Sequence, residues 1–437
     1  MIERVTRLAS GLAVKALGLG AQLVTLVLIA QALGAQGFGS YSVVLSVISI
    51  AAQLVDFGLG RYQFRLAHRG RPVATLAMWS LAFRGAATLV VLPPVLFYAF
   101  WADMPLVALA LGFAANILFQ LANLNRHLLL LSDRIVAAIL VESGPPLLFC
   151  TAVALCFALG TPLSVTGALL LYFIGTLAGF VLSVAGTGTA RSWMRGATML
   201  LRGPVFRTLT GVALLARRSS LIGIDIFVAA ATFNAPILIV TAIGGEAATP
   251  QVALYQRLLG LEVALLSVTV TARLKAYHDS GSGRTLDVRP ALASGALVFV
   301  VNAAGLLILG PLAGLVPGMH GITLVELALS LRPHLLLLAA AAASVAAYLH
   351  CSMAALGGNW LADRCVSGCV GLAATIAAAA LLTAAGMEPF TAVLQASLLG
   401  QTLAVAVLVT GVARHGAQIL LPRLPLPARA PAAGARP

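Results

Sequence analysis

The chain has 437 residues, of which 60% are hydrophobic and 9% charged, and its mean hydropathy is +1.02. A water-soluble domain carries roughly 25% charged residues, so this composition excludes a soluble fold and leaves a polytopic membrane protein. The net charge of +14 points either to nucleic acid or to a membrane surface, and the placement of the basic residues decides between them.

Apolar stretches of about 20 residues, the length that crosses a bilayer as a helix, recur to the end of the chain. A signal peptide followed by a soluble body would show only one, so the first stretch is read as a retained helix. Twelve spans are predicted, giving an all-α fold. The first, Gly11 to Leu33, carries Lys15 about one turn in, and Gln22. The second, Tyr41 to Leu59, holds Asp56 near its end and is followed by the basic stretch Arg61, Arg65, Arg69 and Arg71. Arg84 lies about two turns into the third, Leu76 to Phe100. On the fourth, Pro105 to Leu124, Asn116, Gln120 and Asn123 are spaced by four and three and share one helix face. The fifth, Ile135 to Leu159, contains Glu142 followed by S-G-P-P, a segment expected to break or kink the helix. Leu163 to Val184 is the sixth.

Residues 186–220 form the longest basic connection, its Arg residues interleaved with Trp193, Met194, Leu200, Leu201 and Phe206. This is the pattern either of an amphipathic helix lying in an anionic interface or of a solvated linker. The seventh span, Leu221 to Ile243, carries Asp225 and Asn234; the eighth, Val252 to Ala272, carries Arg257 and Glu262. The last four are Ala291 to Leu315, Leu335 to Leu356, Val366 to Ala385 and Thr391 to Val412, and residues 414–437 read as a basic, Pro-rich disordered tail.

All of the 27 basic residues except Lys15, Arg84, Arg257 and Arg332 fall in connections on one side of this topology. The positive-inside rule makes that side, and both termini, cytoplasmic, which accounts for the charge without nucleic acid. The expected domains are a six-helix bundle over 1–185, the linker 186–220, a second bundle over 221–413 and the tail. A-L-G-A-Q-G-F-G-S-Y at Ala32 to Tyr41 and A-I-G-G-E-A-A-T-P-Q-V-A-L-Y at Ala242 to Tyr255 occupy the same outer turn in each half, as parallel repeats would. The five cysteines lack paired spacings and read as small buried hydrophobes, with neither metal nor cofactor expected.

The stretch from Ala32, A-L-G-A-Q-G-F-G-S-Y-S, together with V-D-F-G-L-G-R at Val55 to Arg61, resembles the first two helices of the polysaccharide-type flippases. These belong to the multidrug/oligosaccharidyl-lipid/polysaccharide exporter superfamily, with the multidrug and toxic compound extruders and the lipid II flippases. The residue-level resemblance covers about the first 70 residues. It implies two six-helix bundles around a central cavity, alternating access, and transport of an oligosaccharide on polyprenyl pyrophosphate across a bacterial inner membrane for surface polysaccharide export. It also implies a monomer working with membrane lipids and with polymerase and export machinery. The motif glycines Gly34, Gly37, Gly39, Gly58 and Gly60 permit a tight turn and close helix approach, or serve packing alone.

Such cargo needs cations for phosphate and hydrogen-bonding groups for sugars. Lys15, Arg84 and Arg257 are the candidate cations, and Gln22, Asn116, Gln120, Asn123 and Asn234 the candidate sugar contacts. Inside a bilayer the cations must otherwise pair or snorkel, and interhelical hydrogen bonds account for the amides equally well. Glu262, Asp56, Glu142 and Asp225 are candidates for ion coupling or for static pairs, and Arg61 and Arg65 are placed to meet cytoplasmic headgroups. The longest outer connection, Val316 to His334, is too short for the catalytic loops of a membrane polymerase or glycosyltransferase, so no enzyme is expected. An organic-cation exporter should have an acidic cavity, and lipid II flippases carry two further helices; these remain the competing transport readings.

Overall fold

The computed structural model describes residues 2–245, 247–279, 285–315, 321–357, 360–415 and 418–420. Among the described residues the regular structure is helical, apart from one pair of three-residue strands. Ten helices among the described residues are long and apolar enough to cross a bilayer, so this is a multi-pass membrane protein. Large apolar side chains point outward along these helices. Leu89 is 76% and Phe100 82% exposed, a surface that lipid tolerates and water does not.

α1 (Ile2–Asp56) joins the first two predicted spans into one 55-residue element. It is broken at Gly34, whose φ of 68° and ψ of 176° lie in a region open essentially to glycine alone. The helix resumes at once, so A-Q-G-F-G-S is helix rather than turn. Of the motif glycines here, only Gly34 needs its backbone freedom. Gly39 serves close approach instead: a Cβ on it would lie 3.3 Å from Pro250 Cγ. The two outer turns that match in sequence therefore pack against one another.

At the other end of α1, Phe57 and Gly58 both take positive φ and the chain restarts as α2 (Leu59–His68). This short helix buries Leu59, Gln63 and Leu66 and exposes Arg61, Arg65 and His68. There follow α3 (Val73–Trp101), α4 (Leu106–Leu131), α5 (Ile135–Ala158) and α6 (Val165–Thr187). α4 extends beyond the predicted end at Leu124, which brings Arg126 into the helix. α5 runs on through Pro145 and Pro146 instead of breaking. This part of α5 packs closely on Gly175 and Gly179 of α6, where a Cβ would come within 3.1 Å of Phe149 N and 2.6 Å of Pro145 Cγ respectively.

The basic connection divides differently from the prediction. α7 (Ala190–Arg202) takes only its first part, and α8 (Val205–Ala242) begins well before Leu221. α7 is amphipathic because Trp193 and Gly196 fall on one face, against α3, while Met194, Leu201 and Arg195 fall on the other. Its indole Nε1 donates to Asn125 Oδ1 at 3.1 Å, and the Asn125 amide donates to Ser183 Oγ at 2.9 Å, tying α4, α6 and α7 together.

In the second half come α9 (Thr249–Asp279), β1 (Thr285–Asp287), α10 (Arg289–Leu315), α11 (Thr323–Ser330), a 3-10 turn at Arg332–His334, and α12 (Leu335–Gly357). α13 (Leu361–Ala384), α14 (Pro389–Arg414) and β2 (Gln418–Leu420) complete it. β2 pairs in parallel with β1, so residues 418–420 are ordered strand rather than irregular tail; residues 421–437 lie outside the described residues, as does His320 of the outer connection. The main core runs across both halves at the end opposite the basic connections, through Phe38, Ile48, Ile237, Leu254 and Phe390. At the basic end the halves also touch. A Cβ on Gly58 would lie 2.8 Å from Gly223 N, and one on Gly223 would lie 2.7 Å from Phe57 O.

Candidate functional site

A cavity of about 440 Å³ lies between the halves. Lys15 and Ser49 both line it, although a straight helix would hold them about 50 Å apart. The break at Gly34 therefore folds α1 back so that both of its arms form one wall. α4, α5 and α6 add Asn116, Glu142 and Tyr172, and the second half adds Phe233 of α8 and Gln256 and Arg257 of α9. The volume falls in the range of small-molecule sites, and the lining mixes aromatic rings with a few charges and amides.

Three charged side chains line the cavity. Lys15 Nζ lies 2.5 Å from Glu142 Oε1, and the other carboxylate oxygen forms an ion pair with Arg126 Nη2 at 2.8 Å. The register of this pair is set by close packing one turn away, where a Cβ on Gly18 would come within 2.8 Å of Ser143 Cβ. Arg257 has a different environment. Its Nη2 donates to the Ser42 carbonyl at 3.2 Å, the rings of Tyr41 and Tyr172 line the cavity with it, and no carboxylate among the described residues pairs with it. The cavity wall thus carries two cations and one carboxylate, with Arg126 behind the carboxylate.

The predicted site residues separate into distinct groups. Lys15, Gln22, Asn116, Glu142 and Arg257 are brought together around this cavity. Arg84 is not among its lining residues: it is 2% exposed and pairs with Asp56 Oδ1 at 2.5 Å, besides donating to Ser80 Oγ. Asp56 also accepts from Gly60 N at 3.3 Å, so this pair joins α1 to α3 and caps α2. Gln120 turns away and donates to the Ala52 carbonyl at 2.7 Å; Asn123, half-buried, is absent from both cavity linings. The shared face on α4 therefore delivers only Asn116, whose amide donates to Gly112 O. Asn234 stands one layer back, accepting from Gln256 Nε2 at 2.8 Å. Glu262 accepts from Asn302 Nδ2 of α10 at 2.9 Å and lines neither cavity.

A second cavity, about 220 Å³, lies within the second half. Asp225 lines it, paired with Arg364 Nε at 2.6 Å, and Arg61 of α2 reaches the same carboxylate at 3.8 Å. Arg61 is thus an inter-half contact, while Arg65 stays exposed. Tyr255 lines this cavity, as Tyr41 lines the larger one. Sequence reasoning missed Arg126, Arg364, Gln256 and Tyr172. Arg126 and Arg364 were counted as loop charges because hydropathy windows end a helix where polar residues begin. Among the described residues, no group of three or more His, Cys, Asp or Glu is placed to hold a metal ion.

No protein-family model matches the chain, and no curated protein matches it. Solved structures do. An inward-facing multidrug resistance MATE family transporter of the MOP superfamily superimposes with a TM-score of 0.57, at 13% identity over 91% of this chain and 94% of that one. A eukaryotic MATE transporter gives a TM-score of 0.51, at 14% identity over 95% of each chain. The chain shares their fold along nearly its whole length.

Proposed function

We propose that this protein is a flippase of the polysaccharide type, which carries polyprenyl-pyrophosphate-linked oligosaccharide from the cytoplasmic to the outer leaflet of a bacterial inner membrane by alternating access of its two halves. The observation that carries this reading is Arg257, a cation in the inter-half cavity with no carboxylate partner among the described residues. A guanidinium without a carboxylate partner inside a membrane-spanning bundle is costly unless an anion uses it, and a pyrophosphate linkage is such an anion. Gln22, Asn116 and Gln256 supply uncharged hydrogen-bonding groups suited to sugar hydroxyls. The resemblance of the first 70 residues to polysaccharide-type flippases favours the same cargo.

Twelve spans belong to this reading: α1 counts as two because it folds back at Gly34, and α9, 31 residues long, is the remaining one. An even number puts both termini on the basic, cytoplasmic face. It also divides the chain into two six-helix units, with α7 lying along the inner interface. In this scheme the chain works as a monomer with the polymerase and export machinery, without a cofactor.

Deleting the gene and resolving the lipid-linked intermediates by leaflet tests the proposal. The expected result is inner-leaflet accumulation and loss of surface polysaccharide; normal polysaccharide without accumulation would sink it. A second reading, export of organic cations, is favoured by Glu142 and by Phe119, Phe149 and Phe233 in the cavity wall, where cation–π contacts are available. It predicts that the deletion strain retains a cationic dye, with its polysaccharide unchanged.

A further inference from the structure

Glu142 sits between two cations, holding Lys15 on Oε1 and Arg126 on Oε2, in a cavity whose other lining cation, Arg257, bonds only a backbone carbonyl among its described contacts. We infer that Glu142 is an internal counter-anion: it competes with the anionic group of the cargo for Lys15 and thereby sets how tightly that group is held. The inference rests on the anionic-cargo reading and adds to it a residue that determines affinity.

The argument is one of charge exchange. A diphosphate presents more negative charge than Arg257 alone can match, and the next cation on the cavity wall is Lys15. Lys15 becomes available when cargo oxygens replace Glu142 Oε1, while Glu142 keeps Arg126 on its other oxygen. One ion pair is then traded for another, and no carboxylate is left stranded, which would be the costly outcome in a low-dielectric site. The three partners are 23%, 27% and 33% exposed at Lys15, Glu142 and Arg126, so the pair opens onto the cavity and is not sealed as the Arg84–Asp56 pair is. A transporter gains from this arrangement, because a site must hold its cargo and then release it. Returning Glu142 to Lys15 supplies the release. The tight contact between Gly18 and Ser143 keeps α1 and α5 in the register that allows that return.

The test is binding of farnesyl pyrophosphate to the purified full-length protein in nanodiscs, with tetraphenylphosphonium as the cationic counterpart. Glu142→Gln keeps size and hydrogen bonding but removes the competing charge, so it should bind farnesyl pyrophosphate about tenfold more tightly than the natural protein. Adding Lys15→Gln should abolish the gain, and Glu142→Asp should restore weaker binding. Melting temperatures show that each variant is folded. Equal or weaker pyrophosphate binding by Glu142→Gln overturns the inference; if the natural protein still binds the probe, the anionic-cargo reading stands without it. If the natural protein binds tetraphenylphosphonium instead, and Glu142→Gln loses that binding, Glu142 is the receptor for a cation and both readings fall.

Discussion

Among the membrane-embedded charges, environment separates two roles that residue type alone does not distinguish. Arg84 and Asp56 are sealed between helices, with Arg84 2% exposed and bonded to Asp56 and Ser80. Removing one member of such a pair strands the other in an apolar medium, whereas removing both does not. Arg84→Met should therefore lower stability in detergent by about 3–5 kcal/mol, and Asp56→Asn added to it should recover much of the loss. A double-mutant cycle on thermal unfolding measures this, and a neutral Arg84→Met would show that the pair is not structural. Glu388, outside the spans, shows the same dependence on setting. Partial burial acts to raise its pKa, but hydrogen bonds from Thr391 and Phe390 outweigh that and lower it, consistent with a carboxylate capping α14.

Breaks matter more than helices in organising the elements. The two apolar stretches between Gly11 and Asp56 run as one helical element, interrupted there only by the backbone of Gly34; the next break comes at Phe57 and Gly58. Because its dihedral angles belong to glycine, Gly34→Ala should cost about 1–3 kcal/mol through strain, although no side-chain neighbour lies within 4 Å of its Cβ position. Gly20→Ala, equally free of neighbours but without a positive φ, should be neutral or slightly stabilising. Equal melting temperatures for the two variants would contradict this account. The break was visible in the sequence as L-G-A-Q-G-F-G, but which glycine made it was not. All three suit a turn, and the choice depends on what Gly37 and Gly39 pack against.

Across the whole molecule, the halves meet at two places: through the continuous apolar core around Phe38 and Phe390, and at the basic end, where Gly58 packs against Gly223 with Arg61 near Asp225. Alternating access requires one of these contacts to part while the other holds. The basic end, resting on close backbone approach and one loose ion pair, is the weaker. Gly223→Val should wedge Phe57 aside and open that end. With the native cysteines replaced, Asn116→Cys should then react several-fold faster with a polar thiol reagent applied from that face, and an unchanged rate would show that the halves do not separate there.

Sequence alone determined the multi-pass membrane class, the helical character of the chain and roughly where most of its long apolar helices lie. These follow from composition and short-range periodicity, which the bilayer enforces on each helix separately. It also marked Lys15, Glu142 and Arg257 as unusual, since any charge inside a span is. Only the tertiary structure decided that these three face one cavity while Arg84, Asp56 and Glu262 are bonded elsewhere. The partner of a buried charge is chosen by how distant helices rotate and approach, and no local pattern encodes that. The fold back of α1 at Gly34 brings Lys15 and Ser49 onto a common cavity wall, and the packing of α9 across it sets Arg257 opposite.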